Sequence, residues 1–260
     1  MLHCLAFDIE TIPDTELGRR LYGLDGLDDA DVAEFMFFRR RQQTGRDFLP
    51  LPQQRVVAIS VALRTREGLR VWSLGEPDAP ERELIERFYD GIERFSPVLV
   101  SWNGGGFDLP VLHYRALRHG VAAPRYWETG DQDPAFRWNN YLNRFHARHT
   151  DLMDVLAGYQ AGARARLEDV ALMLGLPGKM GMSGAAVWPA WQRGEIADIR
   201  HYCETDALNT YLVYLEFERL RGTLDAEGLA AEQARVRETL ADSGQPHLEA
   251  FLAAWQEAEA

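Results

Sequence analysis

The sequence has little cysteine, no long apolar run and no excess of base. Its two cysteines, Cys4 and Cys203, form no zinc-type spacing. Cys4 falls in the first predicted strand and reads as a small buried hydrophobe, which fits a cytoplasmic, reducing setting. No apolar stretch approaches the ~20 residues that a helix needs to span a bilayer. The apolar start, Met1 to Phe7, meets Asp8 too soon for a signal peptide and has no basic leader. Lys and Arg number 28 against 40 Asp and Glu, giving a net charge of -12. That balance excludes an extended non-specific grip on duplex nucleic acid, which needs many cations on phosphates. It leaves nuclease chemistry open, because bound metal ions invert the local field. Internal repeats and low-complexity tracts are also missing.

What is there describes an α/β protein with a core of ordinary size. Hydrophobic residues make up 46% of the chain and charged residues 26%, so one domain with embellishments is expected. Leu2 to Asp8, Val56 to Arg64, Leu69 to Leu74 and Val98 to Trp102 read as strands, with Arg66-Glu67-Gly68 as the turn between the second and third. Residues 11–54 are a long insertion after the first strand. Leu84, Ile85, Phe88 and Ile92 have helical spacing. Asp108 opens a helix with Pro110 in its first turn and Gly120 at its end. Further helices are predicted near 166–174, 188–193 and 197–220. A helical tail is broken by Ser243-Gly-Gln-Pro246. Strands alternating with helices indicate a layered α/β fold. Residues 223–260 hold eight acids and two arginines, half of the total net charge. They read as a solvated, acidic helical extension.

Four acids in three short contexts carry the chemistry. Asp8 and Glu10 lie two apart on a strand, so both project from one face. Two divalent cations ~3.5–4 Å apart could be held by such carboxylates, with Asp8 bridging them, and would activate water against a phosphodiester. Composition alone yields about six acid-x-acid pairs in a chain this acidic. The end of an apolar strand, where open α/β sheets bind ligands, is what distinguishes this pair. Asn103-Gly-Gly-Gly-Phe107-Asp108 also follows a strand. Its glycines permit close backbone approach, Phe107 can pack in the core or stack on a base, and Asp108 is either a helix N-cap or a metal ligand. Tyr202 and Asp206, four apart, share a helix face. His201 competes with Tyr202 as the residue that positions water, although five residues before Asp206 it points away by roughly 140° on a regular helix.

Phe7-Asp-Ile-Glu-Thr11, Asn103-x-x-x-Phe-Asp108 and Tyr202-x-x-x-Asp206 resemble the three exonuclease motifs of the DEDD superfamily of 3′→5′ exonucleases. Phe48-Leu-Pro, Val56-Val-Ala-Ile-Ser60, His149-Thr-Asp-Leu-Met-Asp154 and Tyr202 to Tyr211 resemble the predicted exonucleases related to the proofreading domain of family-B DNA polymerases. The resemblance covers about residues 1–220. It implies a ribonuclease H-like mixed sheet over 1–222, with the tail 223–260 outside it. It also implies Asp8, Glu10, Asp108 and Asp206 as ligands of two Mg²⁺ or Mn²⁺ ions, Tyr202 as the water-positioning residue and the 3′ end of single-stranded DNA as substrate. Short RNA is the nearest competing substrate. A non-catalytic module that binds nucleic acid or a replication protein is the competing class.

Secondary candidates are Thr11, Asn103 and Phe107 beside the acids, and Trp138 and Arg144 in the aromatic and basic stretch 126–149. That mixture suits stacked bases and phosphates, although most of those aromatics are expected in the core. Asp151 and Asp154 could extend the metal shell, or cap a helix. Lys179, in a Gly-rich loop, could reach a phosphate or be solvated. Arg39-Arg-Arg41 could guide a strand, but adjacent helical arginines spread around the surface. The C-terminal extension is a candidate contact for a replication or repair protein.

Overall fold

A computed structural model describes residues 3–258. Leu2, the expected start of the first strand, lies outside the described residues. The centre is a five-stranded mixed sheet in the order β3-β2-β1-β4-β5. Its strands are β1 (Cys4–Pro13), β2 (Gln54–Arg64), β3 (Leu69–Ser73), β4 (Val98–Ser101) and β5 (His149–Asp151). The first three form an antiparallel meander, while β4 and β5 run parallel to β1. Helices cover both faces, which is the ribonuclease H-like arrangement expected from the sequence.

Alternation along β1 decides which face receives which residue. Leu5, Phe7 and Ile9 enter one apolar cluster. That cluster includes Leu84, Ile85, Phe88 and Ile92 of α3 (Glu81–Phe95) and Leu109, Val111 and Leu112 of α4 (Asp108–His119). Cys4 and Ala6 point the other way, into a cluster with Leu208, Tyr211, Leu212 and Leu215 of the 25-residue α8 (Ile196–Leu220). Both cysteines are buried and free. Between β1 and β2 run α1 (Thr15–Tyr22) and α2 (Asp29–Thr44); α5 (Leu152–Leu156), α6 (Leu167–Met173) and α7 (Gly184–Gln192) precede α8. No helix among the described residues is long and apolar enough to cross a membrane.

Two expectations need correction. The first strand does not stop at Asp8. It continues to Pro13, because Thr11 to Pro13 pair with Val56 to Gln54 after a bulge at Glu10/Thr11. The excursion therefore begins at Asp14 and is itself largely helical. The tail is not a solvated pair either. Helices α9 (Ala226–Ala241) and α10 (Pro246–Ala258) bury Leu229, Val236, Leu240, Leu248, Phe251 and Trp255 in the same cluster as α8. A buried Arg64–Glu232 pair at 2.7 Å ties α9 to β2. The acids of the tail occupy its outer faces, and composition alone hid the apolar spacing beneath them.

Candidate active site

The site forms where β1 outruns its parallel neighbour. Strand β4 pairs with β1 only from Cys4 to Ala6. Beyond that point β1 has an open edge at the carboxyl end of β4, a usual position for ligands in α/β sheets. Asp8 and Glu10 project there on the α8 side of the sheet. Helix α8 brings Asp206 to them, and the Cys203 thiol donates to the Asp8 carbonyl oxygen at 3.3 Å. One ligand oxygen from each of Asp8, Glu10 and Asp206 lies within 4.8 Å of the others.

Asp108 arrives from the opposite layer. Phe107 occupies the N-cap of α4 and Asp108 is the first helical residue, so its carboxylate is not spent as a helix cap. Its own N–H and that of Ile9 favour its charged form. Burial, with the nearby charge of Asp151, nevertheless pushes its carboxyl up to about 7. Burial also raises Asp8 well above the carboxylate range, helped by the charges of Glu10, Asp108 and Asp206. Glu10 is raised by burial and by Asp206, with Lys179 opposing. All four acids thus sit in one electrostatic unit, three of them in a tight group and Asp108 beside it.

This donor set fits a divalent cation. Buried like charges are costly unless something of opposite sign joins them. Asp206 Oδ1 is buried without a hydrogen-bond partner. Carboxylate oxygens are the donors that hard cations prefer.

Lys179 is the only lysine in the chain. It is not simply solvated. Its ammonium donates to the Tyr202 hydroxyl and lies 3.5 Å from Asp206 Oδ2. The Tyr202 phenol, pushed up by burial and by Asp206, Glu10 and Asp8, stays protonated at neutral pH. His201 is not brought to the acids. It stacks on His247 at 3.9 Å, in a separate hollow with Glu204 and Arg200.

A cleft of 710 Å³ opens beside Glu10. Thr11, Phe48, Phe107 and Trp188 are among its lining residues. Thr11 donates to Gln54 at 2.9 Å. Phe107 packs against the core cluster and also lines the cleft, where its ring lies 5.4 Å from that of Phe48. Phe48 and Trp188 were not anticipated as site residues; an exposed aromatic in a polar loop was the available signal for Phe48. Two of the three adjacent arginines brace this wall, while Arg39 lies over the Tyr22 ring. Arg40 donates to the Phe48 carbonyl at 2.8 Å, and Arg41 pairs with Asp47 at 3.1 Å.

Other candidates hold the frame. Asn103 adopts a left-handed conformation, φ 66°, and its N–H is accepted by Asp151 at 2.9 Å. Asp151 also accepts from Gly105 at 2.9 Å, so its carboxylate fastens the turn before Asp108. A Cβ on Gly104 would collide with Ser101 Oγ. The close approach permitted by these glycines is therefore made by the protein's own side chains. Asp154 pairs with Arg164 at 2.7 Å. Arg144 sits over the Tyr159 ring at 4.3 Å, and Trp138 is 82% exposed; neither lines the cleft.

Residues 46–255 match the family described as predicted 3′-5′ exonucleases related to the exonuclease domain of PolB. The chain belongs to that family. A DNA polymerase of Archaeoglobus fulgidus is 25% identical over 171 residues, which are 65% of this chain and 21% of the polymerase. DNA polymerase 1 of Sulfurisphaera ohwakuensis is 50% identical over 38 residues, 15% of this chain and 4% of the polymerase. The chain thus spans about a fifth of the first polymerase's length. The family match includes Asp108, Tyr202 and Asp206, begins after Asp8 and Glu10, and runs on through α9 into α10. The acidic group could hold a metal ion, which suits a member of an exonuclease-related family.

Proposed function

We propose that the protein is a metal-dependent 3′→5′ exonuclease that hydrolyses single-stranded DNA to nucleoside 5′-monophosphates. The convergence of Asp8, Glu10 and Asp206 within 4.8 Å at the head of the aromatic cleft carries this reading. Asp8, Glu10, Asp108 and Asp206 would hold two cations, Mg²⁺ or Mn²⁺. When bound, such ions neutralise the phosphate and sharpen a water for attack on it. Phe107 and Phe48 stack against the terminal nucleoside and aim its phosphate at the acids. The Tyr202 hydroxyl keeps its proton and acts as a hydrogen-bonding post for the attacking water, not as a base. Lys179 fixes that hydroxyl and offsets part of the acidic charge. Two buried, free cysteines fit a cytoplasmic setting. The intact set of acids weighs against a non-catalytic module, in which loss of one acid would cost little.

Single-stranded oligonucleotides labelled at either end test the reading. With Mn²⁺ the 5′-labelled strand should shorten stepwise, and the 3′-labelled strand should release labelled mononucleotide first. Chelator should stop both. An RNA strand of the same sequence, cut faster, would move the substrate to RNA. Equal behaviour of wild type and Asp8→Ala would end the enzyme reading.

Tyr202→Phe should lower kcat about tenfold to a hundredfold, the range for one polar group aimed at a reacting centre. His201→Ala should stay within about twofold. The reverse order, read from initial rates at saturating substrate, would transfer the water-positioning role to His201.

A further inference from the structure

Helix α4 carries a second concavity, 420 Å³ in volume, lined by none of the four acids. Tyr89 of α3 lines it together with Pro110, His113, Tyr114 and Leu117 of α4 and Trp127 of the following loop. Tyr89 is only 4% exposed. Its hydroxyl and His113 Nε2 are both buried without a hydrogen-bond partner. Leaving two such groups unpaired in one hollow costs free energy that a ligand would recover.

We propose that this hollow receives a nucleobase of the substrate strand, a few nucleotides upstream of the 3′ end in the cleft; the assignment rests on the exonuclease reading above. The walls specify the chemistry. Tyr114 and Trp127 are half-exposed and offer ring faces, while none of the lining residues is Lys or Arg. That composition disfavours a phosphate or carboxylate. Burial lowers His113 to about 4, so its imidazole is neutral at physiological pH. A phenol and a neutral imidazole can each donate or accept, which matches the adjacent donor and acceptor on a base edge. An aliphatic group would fill the space and leave both polar atoms unpaired. Stacking on aromatic side chains is how proteins hold single strands without reading sequence, and it needs no net positive charge.

Position on α4 supplies the connection. Phe107 lines the cleft, and Pro110 and Tyr114 line the hollow. Pro110, His113, Tyr114 and Leu117 share one face of α4, and Phe107 stands at the N-cap of that helix. From Phe107 to His113 the helix rises about 9 Å. That equals roughly two to three stacked nucleotides at 3.4 Å per step. One strand can therefore leave the cleft along α4 and set a base over Tyr89.

The test uses full-length protein in chelator, so that no strand is cut, and decamers carrying a single 2-aminopurine at successive positions. One internal position, about two or three residues from the 3′ end, should show a distinct fluorescence change. Trp127→Ala should erase that peak and weaken decamer binding about tenfold. Tyr89→Phe, which keeps the packed ring, should weaken it about threefold. A flat positional profile, or a peak unchanged in Trp127→Ala, overturns the proposal. So does displacement of the peak by deoxyadenosine monophosphate with the decamer still bound, which would make the hollow a free-nucleotide site. Wild type that cuts labelled strands but gives a flat profile loses this inference alone. Wild type that gives the peak but cuts nothing loses the exonuclease reading instead.

Discussion

Asp8→Asn and Asp206→Asn should each lower kcat by on the order of 10³-fold or more, an effect expected when a group that organises charge at the reacting phosphate is neutralised. The same Asp8→Asn change should raise the melting temperature of metal-free protein. Asp8 faces Glu10, Asp108 and Asp206, all acidic, against which the Cys203 thiol favours its charged form. Asparagine keeps the shape and removes one buried like charge. Asp206→Asn should gain less, because it also gives up the Lys179 ion pair. Mn²⁺ should stabilise wild type by mass action and do so only weakly in either variant. A variant that loses activity and stability together, with an unchanged Mn²⁺ response, would mean that the acids act as structure and not as a metal-holding group.

The same clustering fixes the sign of a pH effect. Asp8, Glu10, Asp108 and Asp206 are all raised above their ordinary values, chiefly by burial. In the unfolded chain these carboxyls ionise near pH 4. In the folded chain they hold protons longer, to about 7 for Asp108. Between those values these carboxyls bind more protons in the native state than in the unfolded state, so their contribution to stability falls as pH rises. Buried His113 and His149, lowered to about 4, act oppositely up to the ordinary imidazole range, so the acids govern the slope only above it, and metal-free protein should melt lower at pH 8 than at pH 7. The lowered acids Asp14, Glu204 and Glu232 act at the other end, losing their stabilisation only as pH drops below the ordinary carboxylate range. Saturating Mn²⁺ should flatten the slope between pH 7 and 8. A melting temperature that climbs through this window in chelator would contradict the shared burial of the four acids.

The parts legible in sequence were those with local physical signatures. Buried strands are apolar runs, and helix α4 announced itself through Asp108, Pro110 and a left-handed Gly120 at its C-cap. Asp8 and Glu10 on one face, and Tyr202 with Asp206, follow from the two periodicities of strand and helix. What stayed hidden depends on contacts between distant segments. The extension of β1 to Pro13 is set by β2, more than forty residues away. Lys179 sits in a glycine-rich loop with no pattern, and only the packing of that loop on α8 brings its ammonium to Tyr202. Asp151 resembled a metal ligand in sequence because fastening a backbone turn and holding a cation both require a carboxylate at a strand end. The apolar stripe of α9 and α10 was masked by the acids between its members.

Arg115→Leu should destabilise the protein by about 3–5 kcal/mol, the usual consequence of removing one partner from a buried ion network. Arg115 is 3% exposed. Its guanidinium donates to Asp14 Oδ2 at 2.5 Å and to both Glu81 oxygens, at 2.7 and 2.5 Å. Glu81 also takes the Val56 N–H at 2.7 Å, and Asp14 takes the Leu17 N–H at 3.0 Å. One side chain thus joins α4, the start of α3, the first turn of α1 and strand β2. Leucine would leave two buried carboxylates facing each other without a guanidinium, with only His119, 2.8 Å from Glu81, beside them. Lysine should recover little, because it cannot form the planar two-pronged contact to Glu81. The effect should reach the candidate active site as well. Asp14 lies four residues beyond Glu10, and Asp108 lies two helical turns before Arg115 on α4. The strut therefore sets the distance between β1 and the helix that delivers Asp108. Urea titration should show the loss as a lower midpoint. Replacing Arg115, Asp14 and Glu81 together with apolar residues of similar size should regain much of it, since no charge is then left buried alone. If Arg115→Leu falls within about 1 kcal/mol of wild type, the network is ornamental, and the pairing of β1 with β2 must hold Asp108 in register without it.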